Sequence, residues 1–87
     1  MTNTEWKQML ADAEVAAFEK YSKMSDEELK LAVAEAKYAN EGIFKNKFVN
    51  MFLKSTKMSR DELLNWIVKH EVKYCAIREN YRHTGWN

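Results

Sequence analysis

The carboxyl-terminal part of the chain gathers side chains that could do binding chemistry: Lys69, Lys73, Tyr74, Arg78, Tyr81, Arg82, His83 and Trp86. Basic groups neutralise phosphates and aromatic faces stack on bases, so this combination suits a nucleic acid or nucleotide. Exposed aromatic and Arg residues are also the usual anchors of protein interfaces. Lys69, Lys73, Arg78, Tyr81, Arg82, His83 and Trp86 are therefore the candidate binding set. On a helix Arg78 and Arg82 stand one turn apart, whereas Lys69 and Lys73 point elsewhere, and Glu71 and Glu79 dilute the charge. The plainest structural explanation puts Tyr74 and Tyr81 in a core. The cations then solvate its flanks and favour a helix C-terminus, and Trp86 folds back.

Catalytic and metal chemistry find little to build on. His70 lies within an apolar stripe and reads as a partly buried, hydrogen-bonded histidine. The other histidine, His83, could pair only with Glu79, and two ligands do not close a metal site. Cys75 is five residues from His70, which on a helix turns the two side chains about 140° apart. The acidic groups Asp26, Glu27, Glu28 and Asp61, Glu62 resemble paired catalytic carboxylates, but they fall where helix first turns favour negative charge. Two glycines, Gly42 and Gly85, are too few for a phosphate-cradling loop. The sequence thus implies no enzyme, no metal and no cofactor.

The elements that would position these residues are marked by two related segments, Lys23-Met24-Ser25-Asp26-Glu27-Glu28-Leu29 and Lys57-Met58-Ser59-Arg60-Asp61-Glu62-Leu63. Each is a capping box: Ser accepts from an amide of the first turn while Glu three residues on reaches back, and Met before the cap packs on Leu after it. Helices are predicted to begin near Ser25 and Ser59. Their spacing matches a common helical repeat, but the similarity ends at Leu29 and Leu63, and two repeats are too few to stack stably.

The periodicity predicts an all-α single domain over residues 1–87: a small bundle with helices at about 4–22, 25–41, 43–57 and 59–83. Thr2 or Thr4 caps the first. Gly42 either ends the second helix in a turn or is crossed by a continuous bent helix that merges helices two and three. The segment Ile43 to Lys57 is the most apolar and is expected to be the central helix; in a bundle of only four helices the alternative is that some of its surface is buried between subunits. The last helix is long; Leu63, Trp66, Ile67, His70, Tyr74, Ile77 and Tyr81 form its main stripe, and its distal end is expected to project.

Composition agrees with this reading. Of the 87 residues 46% are hydrophobic, with no Pro and only two Gly, which favours helices joined by brief turns over disorder or sheet. One cysteine, no leader pattern and no long apolar run lead to the expectation of a cytoplasmic protein away from membranes. The net charge of +1 hides a division: residues 1–41 carry five Lys against nine acidic groups, and residues 42–87 nine Lys or Arg against four. Such polarity serves an acidic partner, self-association or attraction within the fold. The resulting expectation is a non-enzymatic interaction protein, a regulator or inhibitor that binds a partner protein and forms a homo-oligomer. A nucleic-acid or nucleotide binder is the alternative.

Overall fold

The computed structural model describes residues 2–84, with the side chains of residues 2–79. Four α-helices and one 3-10 turn make up the order α1 (Asn3–Ser22), α2 (Asp26–Lys37), a 3-10 turn (Gly42–Phe44), α3 (Lys45–Ser55) and α4 (Arg60–Thr84), with no strand among the described residues. The all-α bundle expected from the periodicity is therefore present. Thr2 caps α1 by accepting from the Glu5 amide at 3.1 Å.

Both capping boxes form. Ser25 Oγ accepts from the Glu28 amide at 3.2 Å while the Ser25 amide donates to Glu28 Oε1 at 3.2 Å. Ser59 and Glu62 repeat the exchange at 3.2 and 3.3 Å. The two helix starts also lie side by side, because Arg60 Nη1 donates to Asp26 Oδ1 at 2.8 Å. Arg60 Nη2 donates to the carbonyls of Ser22 and Met24, both at 2.8 Å, so one guanidinium ties the end of α1 to the starts of α2 and α4. The clustered carboxylates thus sit at helix N-termini, where the helix dipole favours them.

The turn alternative at Gly42 is the one adopted. α2 ends at Lys37, and Gly42 takes φ +60, a backbone conformation that side-chain-bearing residues rarely adopt. This turn reverses the chain, and Tyr38 locks the reversal by stacking on Phe48 (centroids 5.6 Å apart) and meeting Phe52 edge-on (6.3 Å). Lys45 pairs with Glu35 across the same junction.

α4, not α3, is the central helix. It packs between α1 and α2, and α3 packs on the far side of α2, so α1 and α3 form the two margins. The apolar run at 43–57 suggested the opposite, because apolar surface on every side normally signals a buried helix. The centre of the core is instead the seam of Leu29 and Val33 on α2 with Leu63 and Ile67 on α4, all fully buried. Burying each such side chain contributes about 1.5–3 kcal/mol. Ala17 and Tyr21 of α1, and Val49 and Phe52 of α3, complete one continuous cluster.

The packing is open. The radius of gyration is 15.0 Å, against about 12 Å for a compact domain of this length. The principal extents are 44 × 29 × 15 Å, so the molecule is wider than it is thick. No comparable packing of α1 on α3 closes the helices into a ring. The length of α4 agrees with the sequence reading, and its distal half runs past the end of α2 with α1 alongside.

Candidate functional site

The end of α2 decides what happens to the main stripe of α4. α2 and α4 start together at Arg60 and Asp26, but α2 has 12 residues and α4 has 25. Leu63 and Ile67 are covered, whereas Trp66 and His70 are half-buried and Tyr74 and Ile77 remain 49% and 42% exposed. The explanation that puts Tyr74 in a core is corrected at this point: α2 stops before it can cover the distal half, whose projection the sequence predicts.

The half-buried and exposed rings of the stripe form a ladder. The Trp66 and His70 rings stack with centroids 5.2 Å apart and planes 13° from parallel. His70 and Tyr74 follow at 4.5 Å and 44°. Spacing of four residues on one helix produces this row. Beside it, Ala36, Lys37 and Asn40 from the end of α2 and Lys73 and Ile77 from α4 line a shallow groove of about 330 Å³. Lys69 and Lys73 flank Trp66 and His70 in an adjoining hollow. His70 Nδ1 is shielded from solvent and has no hydrogen-bond partner among the described residues. The hydrogen-bonded histidine expected from the sequence is therefore only partly realised.

Among the candidate binding residues, Lys69 and Lys73 come together beside Trp66 and His70, and Lys73 alone of the two also lines the groove with Tyr74. Arg78 is exposed and is not part of the groove lining. The side chains of Tyr81, Arg82 and His83, and the whole of Trp86, lie outside the described residues. Trp66, Lys37 and Asn40 were not singled out as binding residues from the sequence. A signal for Trp66 existed in its four-residue spacing from His70 and Tyr74, but Lys37 and Asn40 join only through the packing of α2 on α4.

The groove has lysine ammonium donors and aromatic faces, a combination suited to anionic groups attached to an apolar or aromatic body. Cys75 is a half-buried free thiol. Among the described residues no group of three or more His, Cys, Asp or Glu side chains is placed to hold a metal ion. None of the described helices is long and apolar enough to cross a membrane. The chain matches no protein-family model, no curated protein and no solved structure, so its geometry alone bears on function.

Proposed function

We propose that this chain is a non-enzymatic helical interaction protein, a small regulator or inhibitor that acts by binding a partner protein. One observation carries this reading: Tyr74 and Ile77, which continue the half-buried row of Trp66 and His70, are left open beyond the end of α2, beside Lys37, Lys69 and Lys73. Half-exposed aromatic residues are typical anchors of an interface hot spot, and the lysines at their edge suit its polar rim. The partner that fits is an acidic amphipathic segment, with apolar groups on Tyr74 and Ile77 and carboxylates toward the three lysines.

The test is capture of partners from the native cell extract by the wild type and by the double variant Tyr74→Ala/Ile77→Ser, with quantitative mass spectrometry. Specific partners should be retained by the wild type and lost from the double variant. Equal recovery by both proteins would remove the ladder from the binding surface.

Nucleic-acid or nucleotide binding is the second reading, favoured by the stacked Trp66 and His70 rings flanked by Lys69 and Lys73. It extends to Arg78 and, from the sequence, to Arg82. Neutralising Lys69, Lys73, Arg78 and Arg82 should then weaken oligonucleotide binding and reduce its salt dependence by about one power of salt for each phosphate no longer neutralised. An unchanged salt slope would eliminate this reading.

A further inference from the structure

The two margins of the open helical array carry apolar residues of opposite electrostatic setting. On α1, Ala11, Val15 and Phe18 line an outward-facing hollow with Glu14 and Glu19 at its edges, and Phe18 is 52% exposed. At the α3 margin the outward face runs from Phe44, the last residue of the 3-10 turn, through Lys47, Met51 and Lys54 of α3, and Met51 is 54% exposed. The spacing of three, four and three residues keeps these four on one side, opposite the buried Val49. Residues 42–59 hold four lysines and no acidic group. α1 holds four acidic groups against two lysines.

We infer that the α1 margin of one molecule docks on the α3 margin of a second copy, with Val15 and Phe18 against Phe44 and Met51 and with Glu14 and Glu19 near Lys47 and Lys54. Charge complementarity selects this pairing. Two α1 margins face to face would oppose Glu14 and Glu19 to themselves, and two α3 margins would oppose lysines with no carboxylate in the segment. Glu14, Glu19, Lys47 and Lys54 take no part in the ion pairs Lys30–Glu27, Lys45–Glu35 and Arg60–Asp26, although Glu14 also borders a hollow with Lys69 and Lys73 of α4.

The contact is heterologous. Each copy keeps one free margin of each kind, and growth ends only if the rotation between neighbours closes a ring. α3 has 11 residues, which limits the shared length to about 16 Å at 1.5 Å per residue. At a helix width of about 10 Å the strip covers on the order of 200 Å², well below the roughly 800 Å² per partner of a stable interface, so the association is weak and depends on concentration. The residues proposed to meet, Glu14, Val15, Phe18 and Glu19 with Phe44, Lys47, Met51 and Lys54, do not line the α2/α4 groove.

Sedimentation velocity on the full chain over a dilution series, at low and high salt, tests the proposal. Mass should rise beyond a dimer with concentration at low salt and fall in high salt. Glu14→Lys/Glu19→Lys and, separately, Lys47→Glu/Lys54→Glu should each weaken association by about tenfold or more. All four positions are exposed, and helical circular dichroism checks that the variants remain folded. Mixing the two variants restores opposite charges at both margins and should recover association. A wild type that stays monomeric throughout would overturn the inference. So would a dimer insensitive to both charge reversals, or a mixture that fails to recover association while both variants remain folded.

Discussion

Tyr21 Oη donates to Glu71 Oε1 at 2.7 Å, across 50 residues of sequence, and fastens the end of α1 to the middle of α4. Tyr21 is buried and Glu71 half-buried, so this bond is made at the edge of the core. Burial, the hydrogen bond to Glu71 and the negative charge of that carboxylate together push the phenol from 10.0 up to about 12. The phenol therefore stays protonated and able to donate well above neutral pH.

Tyr21→Phe should destabilise the protein by about 1–2 kcal/mol, since the Glu71 carboxylate keeps its partial burial and loses its donor. Urea unfolding at pH 7 measures this cost.

The same pair produces an alkaline limb. The folded state holds the phenolic proton more tightly than the unfolded state. Its contribution is full below pH 10 and is lost as pH rises toward 12. Stability of the wild type should fall over that window more steeply than that of Tyr21→Phe, as read from urea midpoints at several pH values.

Arg60 serves three acceptors at once: Asp26, the Ser22 carbonyl and the Met24 carbonyl. Arg60→Ala should cost about 1–2 kcal/mol, most of it from the two carbonyl bonds, because the Asp26 pair is exposed and exposed pairs contribute little. Arg60→Lys should recover less than half of the loss, since a lysine ammonium cannot reproduce the planar fork. Thermal unfolding of the three proteins provides the comparison.

Gly42 isolates backbone strain from packing. A Cβ there would meet nothing within 4 Å, yet φ is +60. Gly42→Ala should cost about 1–2 kcal/mol from the left-handed conformation alone. Gly42→Asn should cost less, because asparagine tolerates that region better. Thermal unfolding of both variants beside the wild type reads the difference.

The stripe of α4 divides into a structural and an open half. Ile67→Ala should cost about 2–5 kcal/mol because Ile67 is fully buried and its truncation leaves a cavity. Tyr74→Ala should change stability by less than about 1 kcal/mol, because its ring is half exposed. Equal losses measured in denaturant titrations would show that the distal half of the stripe belongs to the core.

Local rules determined much of the fold. The capping boxes at Ser25 and Ser59, the Thr2 cap and the left-handed Gly42 depend on residues within a few positions of one another, so their chemistry is legible along the chain. Even so, α2 stops at Lys37 where the sequence suggested residue 41, because Tyr38 turns inward onto Phe48 and Phe52 of α3. The Lys69 and Lys73 pair was also legible, as was the long last helix that carries it.

Tertiary structure decided which helix lies at the centre and which apolar faces stay open. The apolar run at 43–57 and the stripe on α4 look equally like core in sequence, since periodicity records which side of a helix is apolar but not whether anything covers it. α4 inserts between α1 and α2, which leaves α3 at a margin with Phe44 and Met51 exposed. The difference in length between α2 and α4 then uncovers Tyr74 and Ile77 and brings Lys37 and Asn40 beside them. Bonds such as Tyr21 to Glu71 and Arg60 to Asp26 join residues 50 and 34 apart, and such pairings exist only once the helices have chosen their neighbours.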